Sequence, residues 1–172
     1  MATSAQRGKI IVGVDGSAAS VEALRQAQRL AVPLGANVEA WACWDFPAGF
    51  GAYEAMGVEG FAHEAAESLQ LAVAAVFGPH LPRNVHTKLV RGTPRPTLIG
   101  ASNQASMLVV GRRGHGGFGA LLLGSVSTAC VAYAHCPVLV VTAPEPARNQ
   151  EPRPAHASAG IPKTTPEGAR SQ

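Results

Sequence analysis

Five short apolar runs alternate along this chain with four stretches of helical period, and this alternation restricts the possible folds more than any single residue does. Lys9 to Val14, with Ile10, Ile11 and Val12 in continuous succession, has the pattern of a strand buried on both faces. Ser17 is placed to cap a helix whose apolar positions Val21, Leu24, Ala27 and Leu30 follow the 3.6-residue period, with Pro33 and Gly35 expected to disturb and end it. Asn37 to Trp44 reads as a second strand, and the glycine- and aromatic-rich Asp45 to Gly60 as a long loop, a candidate lid. Phe61, Ala65, Leu69, Ala72, Val73 and Val76 then fall on one helical face, stopped by Gly78-Pro79.

The pattern repeats. His86 to Val90 is expected to form a third strand, Thr93-Pro94 opens a short helix to about Asn103, and Met107 to Val110 forms a fourth strand. After a glycine-rich loop, a helix is expected from Ser125 to Ala134 and a last strand from Pro137 to Thr142. Each parallel crossover needs a helix to carry the chain back across the sheet, so strict alternation predicts an α/β fold with a doubly wound, five-stranded parallel sheet. Sheets of this kind take ligands beyond the carboxyl ends of the strands, where the winding reverses. Residues at strand ends are therefore the ones to weigh.

Composition bounds the alternatives. With 47% hydrophobic and 15% charged residues the 172-residue chain can build one core, so one domain is expected over residues 9–143, after a flexible start at 1–8. From Pro144 onward six of the 13 prolines fall in the last 29 residues, with Ile161 the one large aliphatic, which predicts a disordered, proline-rich tail over 144–172. The 14 basic residues are scattered and form no stripe with interleaved aromatics, so nucleic acid is not an expected partner despite the net charge of +3. Met1 to Gly8 is polar, unlike a signal peptide, and no apolar stretch is long enough to span a bilayer. Cys43, Cys130 and Cys136 lack paired spacing for zinc or a redox centre and suit a reducing cytoplasm.

The chemistry concentrates after the fourth strand. Gly111-Arg112-Arg113-Gly114 and, after nine intervening residues, Gly124-Ser125 give a G-x2-G-x9-G-S spacing that runs into a helix start. Glycines let backbone amides approach phosphate oxygens without a Cβ in the way, and a helix N-terminus adds unpaired N–H groups and partial positive charge. Ser125 and Ser127 can add hydroxyl donors. Asp15, at the end of the first strand, can accept a hydrogen bond from a ligand, or can simply make an Asx turn or helix cap before Gly16-Ser17.

Together, Val12-Gly13-Val14-Asp15-Gly16-Ser17, the glycine loop, Leu122-Leu123-Gly124-Ser125-Val126-Ser127 and Cys136-Pro137-Val138-Leu139-Val140-Val141 resemble the universal stress protein family, above all its actinobacterial members. The resemblance covers about Lys9 to Thr142 and implies a Rossmann-like sheet ordered 3-2-1-4-5 that binds ATP, with or without magnesium. It assigns Asp15 to the nucleotide, with Gly13 and Val14 beside it, Val110 to the adenine pocket, and Cys43 to the position whose backbone reads the adenine. It assigns Gly111, Arg112, Gly114, Gly124, Ser125, Val126 and Ser127 to the ribose and phosphates. Two departures are Ser106, where many relatives carry aspartate, and Pro33 near the end of the first helix.

No lysine lies in the glycine loop and no acidic residue is set to position magnesium as a P-loop hydrolase requires, so at most slow ATP turnover is expected. The six histidines lack ligand spacing, and Gly124-Ser125 lacks the G-x-S-x-G elbow, so neither a metal site nor covalent catalysis is indicated. The reading is a nucleotide-dependent stress sensor or regulator acting on a partner protein, with two alternatives. One is a dimeric scaffold whose site is vestigial. The other is a binder of AMP or cyclic AMP. The apolar last strand is expected at the sheet edge, and the resemblance implies a homodimer paired through it.

Overall fold

The structure is a computed structural model that describes residues 8–46, 59–114 and 122–143. Residues 1–7 of the flexible start expected at 1–8, most of the candidate lid, the middle of the glycine loop with His115, and the proline-rich tail lie outside these residues. The elements are β1 (Lys9–Gly13), α1 (Ala18–Leu34), β2 (Asn37–Trp44), α2 (Glu59–Phe77), β3 (Val85–Arg91), α3 (Pro94–Ser102), β4 (Met107–Gly111), α4 (Ser125–Tyr133) and β5 (Val138–Val141). All four strand pairings are parallel and the sheet order is β3-β2-β1-β4-β5. Alternating strands and helices thus produce the doubly wound α/β fold, with the reversal between β1 and β4.

Side chains alternate across each strand, and at β1, β2 and β4 both faces are covered, whereas the edge strand β3 is mostly exposed. Ile10 and Val12 of β1 join Val38, Ala40 and Ala42 of β2 and Val109 of β4 in a core with α1 and α2 residues Leu24 and Leu69. Ile11, Trp41, Leu108 and Val110 point the other way and pack with Leu98 of α3 and Cys130 of α4. Each fully buried Val, Ile or Leu contributes about 1.5–3 kcal/mol relative to an exposed one. The continuous apolar runs of β1 and β4 are explained by this two-sided burial.

Helix α1 differs in detail from the expected face. Its most buried stripe is Ala19, Ala23, Ala27 and Ala31 with Leu24, whereas Val21 and Leu30 are half-buried at the margin. Alanines spaced by four residues let the helix axis lie close to the sheet, and the larger residues fit only beside that line. Ser17 caps the helix as expected, its Oγ accepting from the Ser20 N–H at 3.2 Å. Pro33 does not stop it. The helix runs on to Leu34, because a proline in the last turn removes one hydrogen bond and leaves the closing contacts intact. Those contacts form a Schellman motif: Gly35 has a left-handed φ of 58°, its N–H reaches Val32 O, and the Ala36 N–H reaches Ala31 O at 3.0 Å.

Ser106 fastens β4 to β1, its N–H donating to Lys9 O at 2.8 Å and its Oγ accepting from the Lys9 N–H at 3.3 Å. No helix among the described residues is long and apolar enough to cross a membrane.

Candidate functional site

A cavity of about 380 Å³ opens beyond the carboxyl ends of β1, β2 and β4, at the reversal of the winding. Eleven of the twelve residues singled out in the sequence line it: Gly13, Val14, Asp15, Cys43, Val110, Gly111, Gly114, Gly124, Ser125, Val126 and Ser127. Arg112 is not among the lining residues; its neighbour Arg113 is. Ser17, Ser20, Trp41, Pro94, Leu98 and Leu123 complete the wall.

The cavity has two chemically distinct ends. Trp41, Cys43, Pro94, Leu98 and Val110 form an apolar slot on the α3 side of the sheet. The slot reaches β1 because Gly13 has no side chain; a Cβ there would stand 2.9 Å from Leu98 Cδ1. Burial pushes the Cys43 thiol up to about 11, with a hydrogen bond to Thr97 opposing the rise and Cys130 adding to it. The thiol therefore stays protonated at neutral pH and offers the slot a soft apolar surface rather than a nucleophile.

The opposite end is built from main chain. Helix α4 begins after Gly124, which has no side chain to cap it, so its first N–H groups face the cavity without a side-chain partner. Their partial positive charge suits an anion. The approach of the loop is fixed through the backbone of Arg112. Its N–H donates to Val141 O at 2.6 Å, and its carbonyl accepts from the Gly124 N–H at 2.8 Å and from Ser127 Oγ at 3.0 Å. Arg112 thus ties the ends of β4 and β5 to the start of α4 through its backbone. Ser127 is 2% exposed, and its hydroxyl proton is shared between the Arg112 and Gly124 carbonyls, so it braces the loop and is not a spare donor toward a ligand.

Asp15 bridges the two ends. Its Oδ1 accepts from the Ser17 N–H at 3.0 Å and from Ser17 Oγ at 2.6 Å, which is the Asx turn. Its Oδ2 lies against Gly114, where a Cβ would overlap it. The carboxylate is exposed and placed between the slot and the glycine loop, able to accept from a hydroxyl of a bound molecule. Among the described residues, no three of His, Cys, Asp and Glu come together as a metal-ligand group.

A slot for a flat apolar group, an acceptor midway, and amides at a helix start form the complement of a nucleotide. The family model that matches is that of the universal stress protein family, over residues 6–142. The chain belongs to the universal stress protein family. It is 40% identical over 147 residues to a universal stress protein of Mycolicibacterium smegmatis, a match covering 82% of this chain and 50% of the relative. The chain spans about half the length of the mycobacterial relatives it matches.

Two solved universal stress proteins share the fold. UspA from Lactobacillus plantarum is 25% identical with a TM-score of 0.65, covering 80% of this chain and 99% of that one. A universal stress protein solved in complex with cAMP is 26% identical with a TM-score of 0.51, covering 78% and 95%. The Rossmann-like sheet order implied by the resemblance is thus the order found in this universal stress protein domain.

Among the lining residues that sequence reasoning missed, two groups have separate causes. Trp41, Pro94 and Leu98 read as ordinary strand and helix residues, and only the pairing of Trp41 with Gly13 across β1 and β2 brings the indole to the cavity. Arg113 was legible as part of the glycine loop, but which of two adjacent arginines lines the cavity depends on how the chain leaves β4.

Proposed function

We propose that this universal stress protein domain binds ATP and acts as a nucleotide-dependent sensor or regulator whose bound state is read by a partner protein. The observation that carries the reading is the joining, at one strand-end cavity, of an apolar slot to the uncapped start of α4. A purine fits the slot, a ribose hydroxyl has Asp15 as acceptor, and phosphates have the amides after Gly124. Catalysis is not assigned to any residue. The three free thiols, Cys43, Cys130 and Cys136, fit a reducing compartment such as the cytoplasm.

The solved relative in complex with cAMP favours a second reading, in which the slot and Asp15 hold a cyclic or mono-phosphorylated adenine nucleotide. One experiment separates the two. The purified protein is denatured, any released small molecule is identified by mass spectrometry, and ATP (with and without magnesium), AMP and cAMP are titrated by calorimetry. ATP as the tightest ligand is the expected result; tighter cAMP or AMP moves the assignment to the second reading. No binding of any of them leaves the cavity vestigial and the protein a scaffold.

A homodimer through β5 belongs to the same reading. Strand β5 is an edge of the sheet, and beside it Val131 and Tyr133 of α4 are 55% and 69% exposed. Unpaired edge groups next to exposed apolar side chains favour association with a second copy. Light scattering at micromolar concentration is expected to give twice the monomer mass, and a monomer there rejects the dimer.

A further inference from the structure

Trp41 is the one aromatic side chain among the described residues lining the cavity. It is 9% exposed and sits in register with Gly13 of β1 on one side and Lys88 of β3 on the other. Its indole is held from outside the cavity. The Nε1–H donates to Glu39 Oε2 at 3.0 Å, and Lys88 Nζ stands 4.2 Å from the ring centroid. Glu39 Oε1 is in turn 3.0 Å from Lys9 Nζ. Burial alone would raise the Glu39 carboxyl, but hydrogen bonds from Lys9 and Trp41 and the charges of Lys9 and Lys88 together hold it below the ordinary 4.5. Glu39 is therefore an anionic acceptor at neutral pH.

These contacts decide what the indole offers a ligand. Its single hydrogen-bond donor is occupied by Glu39, so what it offers a ligand is apolar ring carbon. Gly13 beside it in the sheet has no side chain, Leu98, Pro94 and Val110 are aliphatic and the Cys43 thiol is only a weak donor, so among the described residues the slot has one aromatic wall and no strong hydrogen-bonding side chain for a base edge. A wall of this type discriminates by the area of ring it covers, and a fused purine covers more than a pyrimidine. We propose that Trp41 is the base-selecting wall of the site, favouring purine over pyrimidine nucleotides, with Glu39 and Lys88 as positioning residues that hold the indole. The inference rests on the nucleotide-binding reading above.

The test is the ratio of affinities for ATP and UTP, measured by calorimetry, since a merely structural defect weakens both nucleotides alike and leaves the ratio unchanged. The wild-type protein is expected to prefer ATP by about tenfold or more. Trp41→Leu is expected to bring the ratio to within about twofold, and Trp41→Phe to keep most of it. Glu39→Gln weakens the acceptor of the indole N–H and is expected to lower the ratio about threefold in the wild-type background and to leave it unchanged in the Trp41→Phe background, where there is no N–H to hold. An undiminished ratio in Trp41→Leu overturns the proposal. If that variant does not fold, an equal effect of Glu39→Gln in both backgrounds overturns it instead. A wild-type protein that binds neither nucleotide overturns the binding reading itself, and the base-selecting role with it, whereas ATP binding with an unaltered ratio in the variants removes only the latter.

Discussion

Gly124→Asp is expected to lower ATP affinity by at least about a hundredfold while the protein remains folded. Gly124 has φ −71° and ψ 163°, an extended conformation open to any residue, so the backbone does not resist the change. A Cβ there would lie 3.3 Å from Arg112 O and 3.4 Å from Arg113 Cα, close contacts that a shift of a few tenths of an ångström relieves. Aspartate is also among the best N-cap residues, and α4 at present lacks a side-chain cap, so the substitution supplies a stabilising contact that offsets the crowding. The carboxylate then occupies the place that the proposed function gives to a phosphate. Two like charges about 4 Å apart at an effective dielectric of 20 repel by about 4 kcal/mol, near a thousandfold in affinity, and solvent screening reduces this.

Gly124→Asn is the companion variant, since asparagine has the same shape and caps as well without the charge. Calorimetry with ATP is expected to show the large loss for aspartate and a much smaller one for asparagine, and added salt is expected to narrow the gap. Equal losses would make the effect steric. Wild-type affinity in the aspartate variant would move the anion end of the site away from α4.

The difference between what the residues announced and what only the fold revealed has a physical origin. Local signals fixed the strands and helices: β2 runs from Asn37 to Trp44 as its apolar pattern requires, and α3 opens at Pro94, whose fixed φ suits the first helical turn. The sheet order came from the family resemblance, because alternation alone does not say which strand lies beside β1. At the site, glycines and Asp15 were legible because their chemistry is special at any address. Trp41 and Leu98 were not, because whether a strand residue such as Trp41 or a helix residue such as Leu98 faces a cavity or a core depends on register and on how the helix packs against the sheet. Ser127 shows the converse: its hydroxyl suited a phosphate donor in the sequence, yet burial directs it to the Arg112 and Gly124 carbonyls. A buried hydroxyl must find an acceptor, and the nearest ones were backbone groups that no spacing rule displays.

Gly111→Ala is expected to destabilise the ligand-free protein by about 2–3 kcal/mol, a large share of the usual 5–15 kcal/mol of a domain. Gly111 ends β4 where α1 begins to cross it, and a Cβ would stand 2.9 Å from both the carbonyl carbon and the Cβ of Ala19 and 3.0 Å from the Ser20 nitrogen. These are atoms of a helix backbone that is buried at Ala19 and Ser20, so no flexible side chain can move aside. Helix α1 would have to lift from the sheet, and the closely packed alanine stripe of Ala19, Ala23 and Ala27 would lose contact with it. Gly100→Ala is the control: it lies exposed within α3 with nothing within 4 Å of an added Cβ, and the change is expected to stabilise by about 0.5–1 kcal/mol. Urea unfolding without nucleotide reads both, as opposite shifts of midpoint at constant slope. The comparison also separates two reasons for a glycine at the start of the loop. If Gly111 serves only to let a phosphate approach, its alanine variant unfolds at the wild-type midpoint when no nucleotide is present, and the loss appears in binding alone. If it serves to seat α1 on β4, the midpoint falls before any ligand is added, and part of the glycine pattern that reads as a nucleotide motif is a requirement of the fold.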